Sequence, residues 1–310
     1  MVFFCLILLS AQGRSQDRPT DIDSLLWKEI SALVYLDSIT IQPDDTNLDV
    51  DSFIKMVLND ESFYRAFINL RLYEHQFDQD IRFRDRKNKE KDHYIGVHSQ
   101  SMEGLCRTMH VDSYDRSPGY LNRNGEYEYL TSKIIDRVFY TNGTVCADTS
   151  SNLVVEPKNK FEANIEELKT VIFKPGRDVK VPLVGRKLSI FSKEMRKYYN
   201  YSVSKIPYND NLNYIFEVEL KPEFSNNNTK TVIRKMSTYF DADNFNIIAR
   251  EYELRYKTGI YSFDIDIDVN LTKWNELYFP KKVRYSGYWK IFARKAERCD
   301  FSFIFGEYNI

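Results

Sequence analysis

The sequence predicts an α+β fold: a mostly antiparallel β-sheet accompanied by a few short helices. Three observations carry this. From residue 178 onward, nine runs of alternating or β-branched residues follow one another with polar turns between them, and strands joined by short turns become antiparallel neighbours. Aromatic residues make up 15% of the chain, with 22 Tyr and 21 Phe, a composition that suits pleated, half-buried surfaces. Helical spacing of apolar residues is confined to a few stretches before residue 174.

Residues 2–10 (VFFCLILLS) form an unbroken apolar run. About 20 apolar residues are needed to span a bilayer, so the run reads as the core of a secretory signal. Ala11 and Gly13 suit cleavage before Arg14; Gly13 and Ser15 suit the preferred cleavage before Gln16. No Lys or Arg precedes the run, so an upstream piece or a reassigned start would complete the signal. The alternative is a buried N-terminal strand. Cys5 lies inside the run rather than after small residues at its end, which argues against lipidation there. The expected division is a signal peptide over 1–15, a leader with a short strand over 16–47, and one domain over 48–310.

In the leader, Leu36, Ile39 and Ile41 alternate with polar residues and end at Pro43-Asp44-Asp45. Asp49 or Asp51 then caps a helix carrying Phe53, Ile54, Val57 and Leu58 on one face. After Asn59-Asp60, Ser62 opens a second helix with Phe63, Phe67 and Leu70. Phe77, Ile81 and Phe83 alternate; a charged turn over 84–92 leads to a return strand at 94–97, a hairpin. Asn122–Gly125 is another turn. Residues 129–140 and 161–173 have helical spacing, the second closed by Pro175-Gly176. The nine strands are expected over 179–183, 187–191, 201–206, 214–221, 231–240, 246–256, 261–271, 281–289 and 301–305.

Charge is nearly balanced, 44 basic against 45 acidic residues, so no nucleic-acid partner is expected. Three cysteines follow the signal. Cys106 with Cys146 is the pairing expected in an oxidising compartment; three separate buried thiols are the alternative. Asp264, Asp266 and Asp268 resemble a calcium loop only superficially, because Val269 stands where a Gly is needed and Asn275 where the Glu belongs. Their alternation with Phe263, Ile265, Ile267 and Val269 places the carboxylates on one solvated strand face, where calcium could still bind weakly. His93 and His98 fall on opposite faces of a strand; Cys106 and His110 would share a helix face, with nothing to complete a zinc set. Nucleophile-elbow, zinc-protease and phosphate-loop motifs are absent, and only 11 Gly occur. Neither a cofactor nor a metal is expected.

One charge asymmetry remains. Residues 174–197 hold eight basic residues (Lys174, Arg177, Lys180, Arg186, Lys187, Lys193, Arg196, Lys197) against two acidic ones. Residues 241–276 hold eight acidic against four basic. The two segments either neighbour and neutralise each other, or the first forms a basic rim for anionic headgroups, polysaccharide or a partner. Asn-x-Ser/Thr sequons stand at Asn142, Asn200, Asn227 and Asn270.

The order TYFDADNFNIIAREYE followed by FDIDIDVNLTKWNELYFPKKVRYSGYW resembles LolA-like outer-membrane lipoprotein-sorting proteins, a type of chain common among exported proteins of Bacteroidota. LDSITIQPDD before a helix is similar to the junction after a carboxypeptidase-regulatory-like module in those bacteria. The resemblance implies a strongly curved half-barrel sheet with helices on its concave side and an apolar ligand in the hollow; it transfers no residue role. Three functions are therefore expected in order: an exported, non-catalytic periplasmic or surface protein binding a lipid or acyl chain, with peripheral membrane contact; a cell-envelope structural or interaction protein with a filled core; a hydrolase with a scattered site.

Overall fold

Among the described residues eleven strands pair edge to edge in a single open sheet, and their pairings are antiparallel. The computed structural model describes residues 49–146, 172–177, 185–208, 211–226, 229–259, 261–291 and 294–309. The signal peptide, the leader strand, the strand at 179–183, Lys180, Asn227 and all but the last two residues of the helix at 161–173 lie outside them.

The strands are β1 (Glu74–Arg84), β2 (Glu90–Glu103), β3 (Cys106–Arg116), β4 (Thr144–Cys146), β5 (Tyr199–Tyr208), β6 (Asn211–Leu220), β7 (Ile233–Asp241), β8 (Ile247–Lys257), β9 (Tyr261–Trp274), β10 (Leu277–Ile291) and β11 (Glu297–Asn309). Their spatial order, β4-β3-β2-β1-β11-β10-β9-β8-β7-β6-β5, consists of two meanders. One is β1–β4, the other β5–β11, and the β1–β11 ladder joins them. Within each meander the local turn chemistry sets the hairpins. Asn275 and Glu276 both take positive φ between β9 and β10, the geometry whose twist matches that of the flanking strands. Gly104 (φ 59°) supplies the same hand between β2 and β3. Pro280 lies within β10, a central strand, and the ladder to β9 shifts register there; a bulge is where a central strand tolerates a residue that cannot donate.

Among the described residues four helices accompany the sheet: α1 (Val50–Asn59), α2 (Ser62–Asn69), α3 (Leu130–Phe139) and the single turn α4 (Gly185–Leu188). Asp49 caps α1 by accepting from the Ser52 amide at 2.9 Å. Asp60 accepts from the Ser62 and Phe63 amides at 3.1 and 3.2 Å, satisfying donors that a helix start leaves free. Phe53 of α1 sits among Tyr214, Phe216, Phe240 and Phe245, with ring centroids 5.3–6.4 Å away. Phe63 and Phe67 of α2 pack on Phe173. Phe139 of α3 lies 4.5 Å from Phe303. All three helices thus cover the same face, called the inner face below. The start of α3 is held from the sheet: Glu297 of β11 accepts from the Leu130 and Thr131 amides at 2.8 and 3.0 Å, a carboxylate placed at the positive end of a helix. The expectation of a large antiparallel sheet carrying helices is met.

Two expectations are corrected. Residues 187–191 form no strand: they span the end of α4 and a tight turn, with Ile190 N donating to Leu188 O and Ser192 N to Ser189 O. Local bonds there take the groups a ladder would need. Cys106 and His110 share a strand, β3, rather than a helix face. The sequence reading also missed β3 and β4. Cys106 and Cys146 stand opposite each other in the β3–β4 ladder and are bonded as a disulfide; Cys299 is buried and unpaired.

The bond spans 40 residues of sequence and ties the shortest strand to the sheet. Constraining a loop of that length in the unfolded chain is worth about 2–4 kcal/mol. Reduction, or Cys146→Ser, should lower the free energy of unfolding in urea by that amount, and an unchanged midpoint would contradict it.

Candidate ligand-binding wall

Strand register aligns the inner-face side chains in lateral rows. One row runs Tyr252, Ile267, Tyr285, Phe301, Ile81, Tyr94 across β8, β9, β10, β11, β1 and β2. The next runs Leu254, Ile265, Gly287, Cys299, Phe83, Asp92, and a third begins Tyr256, Phe263, Trp289, Glu297. The flanks of these rows are buried: Tyr252, Leu254 and Tyr256 on one side, Ile81, Phe83 and Cys299 on the other. The middle differs. Phe263, Ile265, Ile267, Tyr285, Trp289 and Phe301 are only half-buried. The cause is the placement of the helices. α1 and α2 pack toward β6–β8 and the upper part of β10, while α3 packs on β11 and β1. Between them runs an apolar strip on β9–β11. The Tyr285 and Phe301 rings stack at 4.8 Å and 4° in its floor, and Tyr285 lies over Gly287, where a Cβ would collide with the phenol oxygen.

Polar groups bordering the wall are engaged in holding it together. Tyr129, stacked on Phe83 at 3.6 Å, donates to the Asp92 carboxylate, and Ser117 Oγ donates to the same group at 3.1 Å. Trp289 Nε1 donates to Thr131 Oγ1 at 2.9 Å. His98 clusters with Phe77 and Tyr140, their ring centroids 5.2 and 5.1 Å from its own. Gln79 Nε2 stands 2.6 Å from His98 Nε2 as the donor to it, and Tyr140 donates to Gln79 Oε1. Burial holds His98 and His75 as neutral rings, each with its pKa pushed down to about 4; Asp112 opposes the shift at His98 and the Tyr73 carbonyl opposes it at His75. Among the described residues two fully buried arginines, Arg107 on β3 and Arg250 on β8, also interrupt the apolar inner face. Arg250 lies one step along β8 from Tyr252 and is fully buried. Its position was readable, since Arg250, Tyr252, Leu254 and Tyr256 form one alternating series.

The opposite, outer face carries most of the sheet's ion pairs. Arg255 pairs with Asp264 and Asp266 at 2.6 and 2.9 Å, Arg284 with Asp268 at 3.2 Å, Lys235 with Glu217 at 2.9 Å, and Arg84 with Asp300 at 2.5 Å. The three aspartates therefore share a solvated strand face and are held by arginines. Glu251, opposite Asp268 across the ladder, has its carboxyl pushed up by burial and then by that aspartate. Shallow depressions on this face are lined by residues such as Asp80, Arg284 and Asp300, and Lys235, Glu251 and Asp266. A strand face that meets lipid carries an apolar band; this one carries ion pairs. Among the described residues no helix is long and apolar enough to cross a membrane, and no cluster of three metal-ligating side chains occurs.

Among the described residues the basic segment makes no ion pair with residues 241–276, where Asp264, Asp266 and Asp268 pair with Arg255 and Arg284. Its cations lie largely over tyrosines instead: Lys174 on Tyr64, Lys187 on Tyr256, Arg196 on Tyr201 and Lys197 on Tyr198, at 4.6–5.8 Å. Lys187 also donates to the Tyr256 hydroxyl at 2.8 Å, Arg177 to the Leu58 carbonyl at 2.9 Å, and Arg196 pairs with Asp51. Arg186 and Lys193 are exposed. Long stems covering aromatic surface with their charges in water explain the pattern.

No family model matches the chain, and no curated protein sequence matches it. Among solved structures the chain is similar to a DUF1329 family protein from Desulfovibrio piger, with 8% identity over 81% of this chain and 93% of that one and a TM-score of 0.25. It is also similar to an outer membrane lipoprotein-sorting protein domain from Vibrio parahaemolyticus (7% identity, 84% and 90% covered, TM-score 0.26). A third is a LolA superfamily protein from Nitrosomonas europaea (9% identity, 83% and 92% covered, TM-score 0.24). This is the class that the C-terminal sequence pattern resembles. At such identities and TM-scores the functional argument rests on this chain's own residues.

The two buried histidines set a pH dependence. Unfolded, each ring titrates near 6.5; folded, near 4. Between these values the unfolded chain binds more protons, so stability is complete above about pH 6.5 and falls as pH drops toward 4. Each histidine contributes a slope of up to about 1.4 kcal/mol per pH unit. Urea midpoints measured from pH 7.5 to 4 should decline in this window, and less steeply in His75→Phe. A flat wild-type profile would rule out neutral burial.

Proposed function

We propose that this chain is an exported, non-catalytic protein of the periplasm or cell surface that holds an apolar ligand, a lipid or acyl chain, against the inner wall of its sheet. The observation that carries the reading is the half-buried strip of Phe263, Ile265, Ile267, Tyr285 and Phe301 between two groups of helices. An acyl chain laid there would remove apolar surface from water on both sides, worth about 0.8 kcal/mol per buried methylene. Aromatic and branched side chains of this kind line small-molecule sites, with few polar groups among them. Export is supported by the apolar run at residues 2–10, and an oxidising compartment by the Cys106–Cys146 bond. The charged outer face supports a protein that stays in water and meets a membrane at most peripherally. The non-catalytic reading draws on the polar groups of the wall, Asp92, Glu297 and His98, each engaged in packing the fold.

Native mass spectrometry of gently purified protein should show a bound lipid. Ile265→Lys, which places a charge in the middle of the strip, should weaken a fluorescent acyl probe at least tenfold with the circular dichroism unchanged. Ile304→Lys, on the outer face where the side chain is 47% exposed, should leave probe binding as it is. A bare chain that takes up no probe would favour the envelope protein with a filled core.

A further inference from the structure

Charge that is balanced over the chain is not balanced over the fold. β1 and β11 are neighbours, with Phe83 paired to Cys299; β10 and β9 are neighbours, with Ile291 paired to Tyr261. The β1–β2, β10–β11 and β8–β9 turns therefore stand side by side at one end of the sheet. Six adjacent strands span roughly 24 Å along that end. Its described residues, 85–91, 257–259, 290–291 and 294–298, hold nine basic residues against three acidic ones. The β2–β3, β7–β8 and β9–β10 turns lie at the opposite end. There residues 103–105, 241–246 and 273–276 hold four acidic residues against one basic.

The three carboxylates of the basic end are turned to internal partners. Asp85 accepts from the Lys87 and Lys89 amides at 2.7 and 3.0 Å. Glu90 accepts from Arg82 at 2.6 Å, and Glu297 holds the start of α3. The cations are left facing water: Arg86, Lys87, Lys89, Lys257, Lys290 and Arg294 are exposed. Among the described residues the cations of these turns find only two carboxylates, Asp92 for Lys91 at 3.7 Å and Glu128 for Lys295 at 3.6 Å. Lys187 adds a charge at the same end, where it donates to the Tyr256 hydroxyl at 2.8 Å. The apolar strip runs into this end as well, since Tyr256, Phe263 and Trp289 form the row next to the turns.

We infer that this end docks on a bilayer surface rich in anionic phospholipid, its lysines and arginines among the headgroup phosphates and the strip opening toward the lipid. Clustered cations on adjacent turns are drawn to such a surface over about a Debye length. The turns lie in one row, so their charges meet a surface together. The acidic opposite end is repelled by the same surface, which turns the molecule with its strip toward the bilayer. A bilayer is favoured over a soluble polyanion because the apolar strip ends where the cations are. The role of the contact rests on the acyl-chain reading above; the contact itself has its own readout.

The test mixes the full chain with vesicles of phosphatidylcholine, or of phosphatidylcholine and phosphatidylglycerol in equal parts, and reads the bound fraction by flotation. The anionic vesicles should bind at least tenfold tighter. Sodium chloride at about 1 M should remove the difference, because it cuts the screening length to about 3 Å. Reversing three charges of the basic end, Lys87→Glu with Lys89→Glu and Arg294→Glu, should weaken docking at least tenfold. Reversing three exposed charges elsewhere, Lys55→Glu with Lys273→Glu and Lys281→Glu, gives the same net charge and should retain most of the docking. Equal binding of the two vesicles by the wild type, or equal loss in the two triple variants, overturns the inference. Binding of soluble heparin without binding of vesicles overturns it in favour of a soluble polyanion. Uptake of the fluorescent acyl probe without docking overturns the inference and leaves the acyl-chain reading standing; docking without uptake of the probe does the reverse.

Discussion

The ladder between β1 and β11 is the interaction on which the rest depends. It joins Glu74–Phe83 to Cys299–Asn309, segments separated by more than two hundred residues, and makes one sheet of two meanders that local turns could build separately. Closing so long a loop costs entropy before any contact rewards it. The reward is concentrated on the inner side of the same ladder. Phe77 meets Phe305 and Phe303, with centroids 5.3 and 5.8 Å away, His98 and Tyr140 close over Phe77, and Glu297 at the start of β11 holds α3 on the seam. Without this ladder α3 would lose the carboxylate at its start, and the strip would lose Phe301.

The sheet then separates two environments by alternation alone. A side chain and its strand neighbour point to opposite faces, so β9 can carry Asp264, Asp266 and Asp268 outward and Phe263, Ile265 and Ile267 inward. The outer pairs are mostly half-exposed, and such pairs contribute little stability each; their consequence is solubility and register, since a one-residue slip would bury carboxylates under the helices. The inner side has the opposite problem, enough apolar surface to require covering. Three helices cover the flanks and leave the middle partly open.

How much of this the sequence disclosed follows from the same physics. Strands β5–β10 were readable because each alternates and each turn between them carries Asn, Asp or Gly. Helices α1 and α2 were readable because Asp49 and Asp60 announce their starts. β3 was hidden because most of it is exposed on an edge and shows no apolar alternation to detect. Residues 187–191 misled for the converse reason: Leu188 and Ile190 alternate like a strand, yet they are buried from a helical turn and the loop after it. The strip on β9–β11 could not be seen, because half-burial depends on where helices distant in sequence come to rest. Arg250 was visible in its alternating series, but only the structure shows that its charge is fully buried.

The wall divides into fully buried flanks and a half-buried middle. The fully buried flanks, with Phe53 among four aromatic rings and Phe83 against Tyr129, carry the packing, where removing a large side chain costs about 3–5 kcal/mol. The middle of the rows carries less, because its side chains already meet water in part. The helices' anchors at Phe53, Phe63 and Phe139 lie outside that middle, so the packing of the helices does not depend on how far Ile265, Ile267 and Phe301 are covered. Arg250 belongs to the packed flank: its guanidinium reaches the Ile172 and Phe173 carbonyls and Thr238 Oγ1 and lies over the Phe63 ring.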